Sequence, residues 1–125
     1  MTTATQAKDI LVVEDSPVVR SMLTHIIQDE GYRVESCNTA EEALDYLGSK
    51  PAPRLILLDL MLPYMRSDEF LQHKQADASL AAVPVVIISS YAYDEPGVIP
   101  GTVAYLEKPI DLDALMGLVR RYCDQ

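Results

Sequence analysis

Apolar residues along the chain are concentrated in five short runs that have the length and composition of β-strands. The runs at 9–13, 55–62 and 84–89 carry Val, Ile and Leu at consecutive positions, which is typical of strands buried on both faces. The run at 33–37 alternates apolar and polar residues, as expected near the edge of a sheet. A shorter run at 103–107 completes the predicted set of five strands.

Between these runs, apolar residues recur at the spacing of helices. The first helix is predicted to be capped by Ser16 and ended by Gly31, and the second to be capped by Thr39 and to end at Gly48. Two further helices are predicted, one with a weak pattern at 68–76 and one at 112–122. Strands that alternate with helices predict an α/β fold in which a parallel sheet is covered by helices on both faces. One domain at 9–123 follows a short tail at 1–8.

Polar side chains that can bind a ligand or take part in a reaction stand where the predicted strands end. Glu14 and Asp15 follow the first strand, Asp59 interrupts the apolar stretch LILLDLMLP, Ser89 ends the fourth strand, and Lys108 follows the fifth. Because the carboxyl ends of parallel strands share one edge of a sheet, and ligand sites of such folds lie at that edge, we expect these side chains to meet. An unpaired charge in an apolar run costs several kcal/mol, and this placement explains why Asp59 is present.

Three carboxylates at one place repel one another unless a cation relieves them. Oxygen ligands of this kind suit a hard divalent ion, and Mg²⁺ is the expected cofactor. A metal beside a carboxylate, with a lysine and a hydroxyl across from it, can stabilise a transferring phosphoryl group. The carboxylate can then act as the nucleophile and form an acyl phosphate.

Composition narrows the class of partner. The 125 residues carry a net charge of −9, which disfavours direct binding to nucleic acid or to an anionic membrane. The two cysteines, Cys37 and Cys123, are far apart in sequence, so a disulfide scaffold is not expected and a reducing compartment is. No signal-peptide stretch and no run long enough to span a bilayer is present, so a cytoplasmic location is predicted.

The segments ILVVEDS, LILLDLMLP, VVIISS and YLEKP, in this order, resemble the receiver domain of two-component response regulators. The resemblance covers the chain from about residue 10 to residue 122. It implies a flavodoxin-like doubly wound sheet of five parallel strands in the order 2-1-3-4-5. It also implies a phosphorylation-switched signalling domain that takes a phosphoryl group from a histidine kinase or a histidine phosphotransfer protein and hydrolyses it slowly. Such a domain is not an enzyme with an external substrate.

The resemblance assigns roles at the acidic end of the sheet. Asp59 matches the phosphoacceptor and Asp15 the direct magnesium ligand. Glu14 matches the second acidic residue of the metal site, which usually acts through water, and the backbone carbonyl of Met61 matches the third protein ligand.

Further roles are implied around the phosphoryl group. Ser89 matches the switch hydroxyl that hydrogen-bonds it, and Lys108 matches the cation that pairs with it. Tyr105 matches the aromatic that turns inward upon phosphorylation. The peptide between Lys108 and Pro109 matches one that is commonly cis in the family.

On the first helix, three side chains stand at positions that resemble those where kinases dock. They are Val18, Met22 and His25. The kinase itself, the downstream protein target and the oligomeric state are not readable from the sequence.

Two departures from the family pattern stand out. The turn after the third strand usually carries glycine where this chain has Ser67, so either the turn differs or Ser67 caps the next helix. The segment after Ser90 contains two prolines and two glycines where a fourth helix is expected: Pro96, Gly97, Pro100 and Gly101. Because proline costs about 3 kcal/mol and glycine about 1 kcal/mol inside a helix, that helix is predicted to be short or absent, and the dimer built on it is not expected.

Two other functions remain possible at this point. A degenerate receiver would act only as a phosphorylation-independent protein-interaction module. The complete set of site residues disfavours this alternative, but the unusual fourth-helix segment keeps it open. An aspartate-nucleophile phosphatase would carry a DxD pattern, and Met61 stands where its second aspartate would be. Whether the chain is a stand-alone regulator or part of a longer one is also open.

Overall fold

The computed structural model describes residues 8–59, 67–90 and 101–124. In these ranges the fold is a five-stranded sheet whose strands run parallel in the order β2-β1-β3-β4-β5. The strands are β1 (Ile10–Val13), β2 (Val34–Cys37), β3 (Leu55–Asp59), β4 (Val85–Ser89) and β5 (Thr102–Glu107). The helices are α1 (Pro17–Asp29), α2 (Ala40–Ser49), α3 (Ser67–Ala76) and α4 (Leu112–Cys123). The predicted flavodoxin-like sheet and its strand order are confirmed.

The three central strands are buried on both faces, as their uninterrupted apolar sequences predict. Every residue of β1, β3 and β4 is buried. One face of the sheet packs on α1 and α4 through Leu23, Ile27, Leu115 and Val119. The other face packs on α2 and α3. Burying one apolar side chain of this kind contributes about 1.5–3 kcal/mol, so the two layers of helices stabilise the central strands from both sides.

The helix boundaries follow the local signals in the sequence. The hydroxyl of Ser16 accepts a hydrogen bond from the backbone N–H of Val19, and that of Thr39 accepts one from Glu42. These contacts satisfy N–H groups that a helix leaves without an intrahelical partner. The second helix continues one residue past Gly48, to Ser49.

Ser67 is the first helical residue of α3, so the alternative in which it caps that helix is wrong by one position. The turn before it lies outside the described residues. Residues 91–100, which carry most of the prediction about a missing fourth helix, also lie outside them, so that prediction stays untested. In the ranges that are described there are four helices.

The edge strand β5 differs from the central strands in burial. Of its side chains only that of Leu106 is buried, and the pairing with β4 is irregular between Val85 and Val86. Gly101, just before β5, has a φ of 87°, a conformation that residues with a side chain rarely adopt. A Cβ atom there would lie 3.3 Å from the side chain of Gln75 on α3.

Candidate phosphoacceptor and metal site

Three carboxylates come together at the carboxyl ends of β1 and β3. Because Val13 and Leu58 are register partners, Glu14 and Asp59 leave the two central strands at the same level. With Asp15 they offer oxygen atoms that all lie within 4.8 Å of one another. Glu14 and Asp59 are buried, whereas Asp15 is exposed. The order of the strands reverses between β1 and β3, which is where sites of doubly wound folds form.

The surroundings of Glu14 disfavour its charged form. Its Oε2 accepts a hydrogen bond of 3.1 Å from the backbone N–H of Ser16. In the described part of the chain, Oε1 is buried without a hydrogen bond of acceptable geometry. Burial, together with a hydrogen bond to Asp59 that requires a proton, raises the pKa of Glu14 to about 7, although Ser16 and Lys108 oppose the rise. A second cation at this position would relieve the repulsion.

Lys108 supplies positive charge from the edge strand. Its Nζ lies 3.0 Å from Oε1 of Glu14 and 3.6 Å from Oδ2 of Asp59. Burial alone would lower the pKa of Lys108, but the contacts with Glu14 and Asp59 raise it, so the ammonium form is favoured. The backbone N–H of Lys108 donates to the carbonyl of Ser89 over 2.7 Å, and the peptide between Lys108 and Pro109 is cis.

Ser89 and Tyr105 are on the two strands that complete the site edge. Ser89 is the last residue of β4 and is buried, one position beyond the register partner of Asp59. Tyr105 is half-buried against the core between the sheet, α2 and α3, and its hydroxyl lies 3.4 Å from that of Thr102. Tyr105 is therefore on the strand that leads directly to Lys108.

The donor set fits a hard divalent cation. All three candidate side-chain ligands are carboxylates, and Oε1 of Glu14, whose contact with Lys108 is an ion pair without hydrogen-bond geometry, is an acceptor that a bound cation or its water would satisfy. Lys108 is the cation whose ammonium pairs directly with Glu14 and Asp59, and the raised pKa of Glu14 shows that it does not offset the burial and crowding of the carboxylates fully. The carbonyl of Met61, expected to be a further ligand, lies outside the described residues.

The predicted docking residues share one face of α1. Val18 is 77 % exposed, and Met22 and His25 are also exposed. Together with neighbours on the same helix they line an open groove of about 600 Å³. The prediction that a kinase docks at these positions stays a prediction.

One residue near the site was missed by reasoning from the sequence. Arg20 on α1 donates hydrogen bonds from Nη1 to the backbone carbonyl of Glu14 and to Oδ1 of Asn38. The available signal was weak, since an arginine one turn into an amphipathic helix looks like an ordinary surface charge. Its position five residues after Asp15 was the only hint that it could reach back to the end of β1.

Comparison with known proteins agrees with this geometry. Residues 10–120 match the family profile of the response regulator receiver domain. The chain is 34% identical over 115 residues to the response regulator Rre1 of Synechocystis, and the match covers 89% of this chain but 49% of Rre1. It is 33% identical to the uncharacterized 14.6 kDa protein in the sodA1 3′ region of Leptolyngbya boryana, covering 92% of this chain and 89% of that protein.

A solved structure gives the same answer for the fold. The response regulator receiver protein from Pseudomonas putida superposes with a TM-score of 0.81 at 28% identity, covering 92% of this chain and 98% of that one. The chain therefore belongs to the response regulator receiver domain family, a family of two-component signalling domains. None of the described helices has the length and apolarity needed to cross a membrane.

Proposed function

We propose that this chain is a phosphorylation-switched signalling domain in which Asp59 accepts a phosphoryl group from a phosphohistidine protein. The observation that carries the proposal is the setting of Asp59. Its carboxylate is buried, lies beside two other carboxylates and has the ammonium of Lys108 at 3.6 Å. A carboxylate kept in such a place at an energetic cost is a candidate nucleophile.

In the proposed reaction, a carboxylate oxygen of Asp59 attacks the phosphorus of a phosphohistidine. The new oxygen–phosphorus bond forms as the phosphorus–nitrogen bond breaks, and the electron pair of the broken bond stays on the imidazole nitrogen. Lys108, already paired with Asp59, balances charge on the phosphoryl oxygens, and the hydroxyl of Ser89 donates a hydrogen bond to one of them. Slow hydrolysis by water then returns Asp59 to its carboxylate form.

Magnesium is the proposed cofactor, held by Asp15 and Asp59 with Glu14 beside it. When bound, it would neutralise charge on the carboxylates and on the phosphoryl oxygens. The hard-oxygen donor set supports this assignment, as does Oε1 of Glu14, a buried acceptor that has an ion pair but no hydrogen bond among the described residues.

The proposed phosphodonor is a histidine kinase or a histidine phosphotransfer protein that contacts α1. The exposed side chains of Val18, Met22 and His25 line, with Pro17, a largely apolar groove on the helix that follows Asp15 in the sequence. A cytoplasmic setting is part of the proposal, because Cys37 and Cys123 are both free thiols, as expected in a reducing compartment. The net charge of −9 supports a protein partner over nucleic acid.

The experiment is incubation with a small phosphodonor, such as acetyl phosphate, with and without magnesium, followed by intact mass measurement. The wild-type chain should gain one phosphoryl mass only when magnesium is present, and Asp59→Asn should gain none. Asp29→Asn, which changes an exposed aspartate at the end of α1, is the matched control and should behave like wild type. Labelling of Asp59→Asn at the wild-type rate, or labelling that survives chelation, would show that the proposal is wrong. Absence of labelling in the wild type would favour a phosphorylation-independent interaction module.

A further inference from the structure

Arg20 connects α1 to the ends of two strands. One nitrogen, Nη1, donates to the carbonyl of Glu14 over 2.8 Å and to Oδ1 of Asn38 over 3.0 Å. Asn38 is itself anchored, because its backbone N–H donates to Oε1 of Glu42 over 2.7 Å in the first turn of α2. The guanidinium therefore links the end of β1 to Asn38, which lies in the connection between β2 and α2.

The carbonyl that Arg20 holds belongs to the peptide between Glu14 and Asp15. Consecutive side chains of an extended strand point to opposite faces, yet these two carboxylates offer oxygens to one site. The backbone must therefore turn at this peptide. On its other side Glu14 is held by its N–H, which donates to the carbonyl of Cys37 over 3.1 Å. Arg20 supplies the second backbone contact, at the point where the chain turns.

Asp15 is the carboxylate that most needs this support. Glu14 and Asp59 are buried and held by their surroundings, whereas Asp15 is exposed, so packing does little to fix it. A divalent ion with strict octahedral demand tolerates little displacement of its ligands. The direction in which Asp15 leaves the peptide therefore decides how well the site is formed before a cation arrives.

We propose that Arg20 is a positioning residue of the cation site, acting through the peptide between Glu14 and Asp15 and braced by Asn38. This inference rests on the proposed function, since it assumes that the acidic cluster binds a divalent cation. Residues that orient metal ligands typically change metal affinity by about 10–100-fold when they are replaced.

The sign of the effect separates positioning from simple electrostatics. Arg20 is a cation close to a site for another cation, so its removal alone should tighten magnesium binding. If Arg20 positions the peptide, its removal should weaken binding instead. A purely structural role would lower the stability of the fold and leave the magnesium affinity of the folded protein unchanged.

The test measures the magnesium dissociation constant of the full chain by calorimetry for the wild type, Arg20→Gln and Asn38→Ala. We expect Arg20→Gln to weaken binding by about tenfold and Asn38→Ala by less. The double variant should be no weaker than Arg20→Gln alone, because both side chains act in one unit. Phosphorylation by acetyl phosphate should need more magnesium in Arg20→Gln and should approach the wild-type rate at saturation. The small donor excludes effects on docking at α1.

The outcomes are distinguishable. If the wild type does not bind magnesium, the proposed function fails and the inference fails with it. If the wild type binds and Arg20→Gln binds equally well or more tightly, only the inference is overturned. If Arg20→Gln does not fold, Asn38→Ala decides, because it removes the hydrogen bond between Arg20 and Asn38 by changing a loop residue. Weaker magnesium binding in Asn38→Ala supports the proposal, and unchanged affinity overturns it.

Discussion

Replacing Glu14 by glutamine should stabilise the metal-free protein at neutral and alkaline pH. The native fold holds this carboxyl group fully buried, next to Asp59, with one oxygen that has the ion pair with Lys108 but no hydrogen bond of good geometry among the described residues. A glutamine of the same shape carries no charge to desolvate. Its side-chain oxygen can still accept the hydrogen bond from the backbone N–H of Ser16.

The magnitude follows from the pKa of Glu14. Burial and Asp59 raise it from 4.5 to about 7, which at about 1.4 kcal/mol per pKa unit corresponds to about 3 kcal/mol. Below pH 4.5 the group is protonated in both the folded and the unfolded chain, so it costs nothing. Between pH 4.5 and 7 the unfolded chain loses the proton first, and the free energy of unfolding falls as the pH rises. Above pH 7 the full cost is present.

The variant also loses the ion pair with Lys108, which offsets part of the gain. We therefore expect Glu14→Gln to raise the free energy of unfolding by about 1–3 kcal/mol at pH 8, and by little at pH 4. The assay is urea denaturation in the presence of EDTA at both pH values.

Glu41→Gln is the matched control, because it removes an equal charge from an exposed position on α2. In the wild type, saturating magnesium should recover part of the same stability at pH 8 by relieving the repulsion. A variant that is less stable than the wild type at pH 8, or a difference that does not change between pH 4 and pH 8, would refute the reasoning.

Two further predictions concern the region between α3 and β5. Lys74 is fully buried, and its Nζ donates to the side chain of Gln75 and to the carbonyl of Ala81. Burial lowers the pKa of Lys74, because the charged form is disfavoured there. Lys74→Met should therefore raise the free energy of unfolding by about 1–2 kcal/mol in urea titrations at pH 7. The gain in stability should shrink as the pH approaches 10.5, where the unfolded lysine also loses its proton. A Lys74→Met variant that is less stable than the wild type would contradict the prediction. Gly101→Ala should lower the free energy of unfolding by about 1–2 kcal/mol, because the φ of 87° disfavours alanine and the new Cβ would lie 3.3 Å from Gln75; equal stability by the same titration would contradict this.

The sheet and most helix limits could be predicted because local and global signals agree in this sequence. The apolar runs of β1, β3 and β4 have only one environment that suits them, a sheet covered on both faces. The convergence of Glu14, Asp59 and Lys108 follows from their positions at strand ends, since parallel strands bring those ends to one edge.

Residues whose role depends on tertiary contacts could not be predicted in the same way. Lys74 lies in a helix with a weak apolar pattern, where a lysine is normally taken as exposed, and its burial depends on the turn around Ala81 that folds over it. Arg20 acts on a backbone carbonyl, and no sequence pattern records which carbonyl a side chain will reach.

The site combines side chains at the ends of the fully buried strands β1 and β3 with a side chain that follows β5, the least buried of the described strands. Its carboxylates stand on β1 and β3, which are clamped between two layers of helices, while the ammonium comes from the end of β5, an edge strand with one buried side chain. When charge changes at Asp59, the response that disturbs the fewest packed side chains would be a displacement of Lys108 and of β5, which precedes it. Such a displacement would change the shape of the sheet at its rim, where Val103 and Glu107 face the solvent.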